Sequence, residues 1–219
     1  IVDRGSFFNA LAVSDYTLAT LASGTADRWS IDLFEDEGIY IYAVAATPAD
    51  IVLSVMSDGV PLVNMQNSAP AGSPEFVSIA AAELTASEEY EVQVSANGAA
   101  AEYALTIYTD PTFPIVFNGI LTSGSPRSAV QMSYDSVHYW FFQGQAGDEL
   151  SMTVTPKNNG DPGVDLFGPG PVHIATADDG FDGFTETYET TLTSTGLHGL
   201  RIEEYSVENA VYDLVVTFQ

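Results

Sequence analysis

The chain has 219 residues, 46% of them hydrophobic and 11% aromatic, which is enough for one large domain or two of about 100 residues and too apolar for a disordered chain. Thirty Asp and Glu stand against five Lys and Arg, a formal net charge of −25. The cations Arg4, Arg28, Arg127, Lys157 and Arg201 are scattered, so repulsion disfavours nucleic acid and anionic membrane surfaces, and no apolar run approaches the roughly 18–20 residues of a membrane helix.

Residues 1–14, IVDRGSFFNALAVS, have the composition of a strand that pairs rather than a solvated tail. Phe7, Leu11 and Val13 would share one face, with Phe8, Ala10 and Ala12 on the other. The segment has no clear counterpart later in the chain. It is expected to complete its own domain or cover an inter-domain seam; the alternative is addition to a sheet edge of a neighbouring copy. Next, Trp29, Ile31 and Leu33 alternate with Arg28, Ser30 and Asp32, the period of a half-buried strand. Ser78 to Ala86 is Ala-rich, but its expected counterpart Glu186 to Ser194, ETYETTLTS, is full of β-branched residues, so both are read as strands. Tyr103, Leu105 and Ile107 alternate again, as do Leu150, Met152 and Val154, and finally Tyr212, Leu214, Val216 and Phe218.

These strands repeat. Phe76, Leu84, Val92 and Val94 match Phe184, Leu192, Leu200 and Ile202 at an offset of 108 (184 − 76), and Tyr103 and Leu105 match Tyr212 and Leu214 with one residue inserted. The same offset would carry Trp29, Ile31 and Leu33 onto Val137, Tyr139 and Phe141, and Asp27 onto Asp135. Leu21-Ala-Ser-Gly24 matches Leu121-Thr-Ser-Gly124 at an offset of 100 (121 − 21), implying eight extra residues in the second copy before Asp135. Pro111 and Pro114 interrupt any ladder between the copies. The expectation is an all-β chain of two tandem β-sandwiches: residues 1–110, with the extra strand 1–14, and residues 111–219.

The second copy reads Gly119-Ile-Leu-Thr-Ser-Gly124, Asp135-Ser-Val-His-Tyr-Trp-Phe141, Ala146-Gly147-Asp148, Val164-Asp165-Leu166-Phe167, an acidic loop Asp178-Asp-Gly-Phe-Asp-Gly183, Gly196-Leu-His-Gly-Leu-Arg-Ile202 and Tyr212-Asp-Leu-Val-Val216. In this order the motifs resemble the bacterial pre-peptidase C-terminal domain. The first copy follows in register through Asp27-Arg-Trp-Ser-Ile31, Asp50-Ile-Val-Leu53, Tyr90-Glu-Val-Gln-Val94 and Tyr103-Ala-Leu-Thr-Ile107, but Asn64 to Glu75 replaces the acidic loop. The resemblance covers residues 17–219. It implies jelly-roll-like sandwiches of secreted or cell-surface proteins, usually non-catalytic, with relatives that hold Ca²⁺ in loops at one end.

The acidic loop is the candidate site. Asp178, Asp179 and Asp182 lie within five residues among Gly180 and Gly183, and Asp161 and Asp165 could add oxygens from the adjoining strand. Three clustered carboxylates repel unless neutralised, so calcium is expected; the alternative is a solvated turn rich in Asp and Gly for backbone reasons. In the first copy only Asp27, Asp50 and Glu75 remain as scattered candidates. Cysteine is absent, and no two of His138, His173 and His198 stand at a zinc spacing. No hydrolase, phosphate-binding or dinucleotide motif occurs. His138 is expected to face outward. Trp140 and Phe142 are expected on the side away from the core, for glycan stacking or for docking the other domain.

A start at Ile1 suits a processed mature chain, and an excised fragment would look the same. The reading is a non-catalytic, calcium-stabilised, extracellular or cell-surface structural subunit, not an enzyme. Its expected partners are itself, in a head-to-tail homopolymer or surface assembly, or other extracellular proteins and glycans. The alternative is an accessory binding segment released from a larger secreted peptidase or glycosidase.

Overall fold

The structure, a computed structural model, describes residues 1–10, 15–33, 37–46, 49–84, 89–206 and 209–219, and its backbone divides into two compact units, Ile1–Pro111 and Thr112–Gln219. The first unit holds β1 (Val2–Ser6), β2 (Thr17–Leu21), β3 (Ala26–Asp32), β4 (Ile39–Ala45), β5 (Asp50–Ser57), β6 (Val60–Gln66), β7 (Glu75–Ile79), β8 (Glu89–Asn97) and β9 (Ala101–Tyr108). The second holds β10 (Ile115–Ile120), β11 (Arg127–Met132), β12 (Val137–Gly144), β13 (Glu149–Pro156), β14 (Pro162–Gly168), β15 (Val172–Ala177), β16 (Glu186–Thr191), β17 (Gly196–Glu204) and β18 (Ala210–Phe218). Each unit is a β-sandwich of one five-stranded and one four-stranded sheet. The orders are β1-β3-β8-β5-β6 and β2-β9-β4-β7 in the first, and β10-β12-β17-β14-β15 and β11-β18-β13-β16 in the second. The two units match strand for strand. Among the described residues no helix is long and apolar enough to cross a membrane.

Alternation makes the cores. On β3, Asp27, Trp29 and Ile31 point inward; on β8, Tyr90, Val92 and Val94 do; on β13, Leu150, Met152 and Val154. Each large apolar side chain so buried contributes about 1.5–3 kcal/mol of transfer free energy. The 3₁₀ turn Ala81–Glu83 ends the strand expected over Ser78 to Ala86 at Ile79, and residues 85–88 lie outside the described residues. Its expected counterpart runs as a strand only to Thr191.

The strand ladders give the true repeat. Asp27 pairs with Val94 and His138 with Ile202, while Trp29 pairs with Val92 and Trp140 with Leu200. Since Val92 and Leu200 are 108 apart, β3 maps onto β12 at 111 (140 − 29), not 108; β7 maps onto β16 at 111 as well (186 − 75), so Phe184 answers to Ser73 and not to Phe76. The same offset relates the turn in which Thr25 N–H bonds Ala22 O to the turn in which Ser136 N–H bonds Ser133 O. The Leu-x-Ser-Gly match at 100 is a coincidence: Leu21 ends β2, whereas Leu121 precedes β11. The second unit carries no eight-residue insertion there.

A slip of three residues inverts strand parity. Trp140 and Phe142 therefore face the core, 5% and 0% exposed, and form no outward strip. His138, expected outside, is buried between the sheets. Tyr139 and Phe141 take the other face, edge-on to Phe117 of β10 at 5.9 and 4.8 Å.

Residues 2–6 do have a counterpart. β1 runs parallel to β3 as β10 runs parallel to β12, and each pair shifts register just before a glycine of left-handed φ, Gly5 at 76° and Gly119 at 114°. β1 thus completes its own unit, held by Arg4 on Asp27 and Arg28 on Asp3, both at 2.9 Å. After Ser6 the backbone turns helical over Phe7–Ala10, so the single strand expected over residues 1–14 does not form. Phe7 is buried against Trp29, and Leu11 and Val13 lie outside the described residues.

Both cores contain a buried polar triad. Trp29 Nε1 donates to Tyr103 Oη at 2.9 Å, and that hydroxyl donates to Asp27 Oδ2 at 2.9 Å. In the second unit Trp140 Nε1 donates to Tyr212 Oη at 3.0 Å, and Oη lies 3.0 Å from His138 Nδ1. Burial depresses the His138 pKa to about 4, so the imidazole is neutral and Nδ1 accepts the tyrosine proton.

Candidate functional site

The acidic loop joins β15 to β16, and its equivalent joins β6 to β7. Both are built on one buried carboxylate. Glu186, at the start of β16, accepts the N–H of Asp179 at 2.9 Å and of Gly180 at 3.0 Å. Glu75, at the start of β7, accepts the N–H of Ser68 at 2.8 Å and of Ala69 at 2.6 Å. Phe184 N–H closes a turn onto Phe181 O at 2.9 Å, as Ser73 N–H does onto Pro70 O, also at 2.9 Å. Gly183 and Gly72, at φ of 82° and 81°, supply the same left-handed residue. Glu75, a scattered candidate in the sequence, is therefore a backbone cap. The sequence gives Glu186 no such role, because an isolated glutamate at a strand start has no local signature.

On this shared frame the two units carry different side chains. In the first, Asn67 Nδ2 donates to Asp50 Oδ2 at 2.9 Å. Asp161 and Asp178 occupy the equivalent positions in the second, so an amide–carboxylate bond becomes a pair of carboxylates. Asp182 replaces Ala71. Glu204, paired across the ladder with Pro162, replaces Ala96, which pairs with Ile51. The Asp161 carboxyl is pushed above the usual carboxylate range by partial burial and by the charges of Asp178, Asp182, Glu204 and Glu186. Glu204 is 5% exposed; its Oε1 accepts the N–H of Asp161 at 2.7 Å and of Ser206 at 3.0 Å, while its buried Oε2 has no partner among the described residues.

The basic side chains are engaged with other groups. Arg4, Arg28, Lys157 and Arg201 each hold other carboxylates, and Arg127 lies over the Trp140 ring, 5.3 Å from its centroid. The oxygen-only donor set and the orphaned Glu204 Oε2 suit a hard divalent cation. Among the described residues, however, no three His, Asp or Glu converge at metal-holding distance. Asp161, Asp178 and Asp182 share one rim, and Asp179 contributes its backbone N–H to the Glu186 cap. Asp165 stands apart, bonded to Thr176 Oγ1 at 2.5 Å, His173 Nε2 at 3.2 Å and Arg201 Nη1 at 3.4 Å.

That last group has the residue types of a hydrolytic triad but not its wiring. His173 Nε2 approaches both Thr176 Oγ1 (3.1 Å) and Asp165 Oδ1, and Thr176 itself donates to Asp165. A relay needs the acid on one ring nitrogen and the hydroxyl on the other. Here one nitrogen meets both, so the imidazole orients nothing.

No family model and no curated protein matches the chain. Solved structures similar to it include the pre-peptidase C-terminal domain of a Bacillus anthracis collagenase (13% identity, TM-score 0.37, covering 48% of this chain and 97% of that one). Another is PliG of Aeromonas hydrophila, a periplasmic inhibitor of g-type lysozyme (16% identity, TM-score 0.35, 49% and 98%). The PBSX exported protein XepA is similar over 92% of this chain and 85% of its own, at 11% identity and TM-score 0.32.

Proposed function

We propose that the chain is a non-catalytic extracellular structural or assembly subunit whose second unit is stabilised by calcium on Asp161, Asp178 and Asp182. One observation carries the reading: two loops with the same cap, turn and glycine differ in that the first pairs Asp50 with an amide, while the second sets the Asp161 carboxyl against the charge of Asp178. The first loop shows that the frame needs no acid at the places of Asp178 and Asp182, where it carries Asn67 and Ala71. Acid added to such a frame raises repulsion, and a divalent ion relieves it. The non-catalytic part rests on how the polar groups are used: the described buried triads and glutamate caps hold sheets and loops together. Self-assembly, on this reading, uses surfaces other than the backbone edge of β1 that is already paired to β3.

The test is thermal unfolding with calcium and with chelator, for the wild type and for Asp178→Asn, which rebuilds the Asn67–Asp50 bond in the second unit. Calcium at about a hundredfold over Kd adds roughly 2.7 kcal/mol to the native state. The variant should be more stable than wild type in chelator and indifferent to calcium. A wild-type melt that calcium leaves unmoved overturns the metal assignment.

A further inference from the structure

We propose that the same rim docks a basic segment of a protein partner, seating an arginine or lysine side chain between the exposed rings of Phe181, Phe184 and Tyr205 and the carboxylates of Asp161, Asp178 and Asp182. The proposal rests on the reading of this rim as a cation-seeking site, and adds the rings. Phe181, Phe184 and Tyr205 are 78%, 62% and 52% exposed. Single exposed apolar residues need no explanation, but these cluster around one acidic loop. The Phe181–Phe184 turn spans Asp182. The Tyr205 ring and the Asp178 carboxyl close together over Gly163, where an added methyl carbon would run into the ring and stand 3.5 Å from Asp178 Cγ.

The first unit is the internal control. At the places of Phe181 and Phe184 it carries Pro70 and Ser73, in a turn of the same hydrogen bond and the same left-handed glycine. Asn97 stands where Tyr205 stands. The fold therefore needs none of the three rings, and it needs no carboxylate at the positions of Asp178 and Asp182. The two phenylalanines and the two carboxylates fall on the same loop, and Tyr205 approaches Asp178 from the end of β17; together they make the chemistry that recognises an organic cation: negative charge to attract it and ring faces to hold it. Beside Gly160 and behind Asp161, the buried Glu204 Oε2 has no hydrogen-bond partner among the described residues, a second sign of a site short of a positive group. Arg and Lys satisfy both demands from a protein partner, and a chain of net charge −25 steers such a segment in from a distance.

The probe is a fluorescent peptide alternating arginine and glycine, titrated by anisotropy at about 0.15 M salt to screen diffuse attraction. Wild type should bind it. Phe181→Ala/Phe184→Ala, at unchanged net charge, should weaken binding by about fivefold or more, the factor expected of lost cation–π contacts. Phe184→Ser, which copies Ser73, and Asp178→Asn, which copies Asn67, should each weaken it too, and serve if the double variant fails to fold. No wild-type binding, or equal affinity for wild type and the ring variants, overturns the proposal. Ring-dependent peptide binding without a calcium shift in the melt upholds docking and removes calcium; the reverse pattern removes docking and keeps calcium.

Discussion

The indole nitrogen of Trp140 donates to the hydroxyl of Tyr212 at 3.0 Å, tying β12 in one sheet to β18 in the other. The bond recurs in the first unit between Trp29 and Tyr103. What differs is the group beyond the tyrosine, a carboxylate in one unit and an imidazole in the other. Burial pushes both phenol groups far above their ordinary pKa, so neither tyrosine ionises near neutral pH. Tyr212→Phe should leave Trp140 Nε1 and His138 Nδ1 buried without a partner, at a cost of roughly 1–3 kcal/mol. Tyr103→Phe should cost more, because the acceptor it abandons is charged. Urea unfolding of the two variants checks the order, and an equal or reversed order contradicts it.

Arg4 crosses from β1 to the Asp27 carboxylate, which is 1% exposed. Arg4 also reaches Thr20 O at 2.8 Å, so one side chain joins three strands. Since the guanidinium is about a third exposed, solvent tempers the pair, and Arg4→Ala should cost about 2 kcal/mol rather than the larger loss of a fully buried pair. Adding Asp27→Asn removes the stranded charge and should recover part of that loss. A double variant as unstable as the sum of the two singles would show that the pair is not coupled.

The imidazole of His138 gives the second unit a pH dependence of definite sign. Below about pH 6.5 the unfolded chain takes up a proton that the folded chain refuses until about pH 4. His138 therefore contributes its full stability above pH 6.5 and loses it as pH falls through that window, by roughly 3 kcal/mol in all. His138→Gln, whose amide oxygen can still accept from Tyr212, should flatten the decline. Parallel pH profiles for wild type and variant would refute the assignment.

Much of this architecture is legible in the sequence, because β strands announce themselves by period. The alternations around Trp29, Leu150, Tyr103 and Tyr212 mark strands that the structure contains. The facing of β12 was not legible. Its run Val137-His-Tyr-Trp-Phe-Phe142 is apolar on both faces, so periodicity cannot choose a parity, and an offset carried over from β8 and β17 chose the wrong one. The offset changes from 111 to 108 between β7 and β8, where the first unit has its 3₁₀ turn. At the site, the cluster Asp178-Asp-Gly-Phe-Asp could be read directly. The cap by Glu186 shows only when the two loops are compared, since Glu186 and Glu75 each accept from the N–H groups six and seven residues before them; the approach of Glu204 to the N–H of Asp161, 43 residues away, leaves no local spacing at all.

The equivalence of the two loops also runs in reverse. Asn67→Asp should install in the first unit the carboxylate pair that Asp161 and Asp178 form in the second. It removes the 2.9 Å bond to Asp50 and sets two acids against each other on an exposed rim, a cost of about 1 kcal/mol at neutral pH in chelator. A carboxyl pushed up in the folded state stabilises when protonated and loses that contribution as pH rises through its folded-state pKa, so the penalty should shrink in acid. Calcium should relieve it if two carboxylates on this frame are enough to engage the ion. No relief would assign the remaining oxygens to Asp182 and Glu204, which the first unit lacks, and Asn67→Asp/Ala71→Asp/Ala96→Glu would then be the variant to melt with and without calcium. If that triple variant also ignores calcium while the wild-type second unit responds, the equivalence of the two loops is refuted.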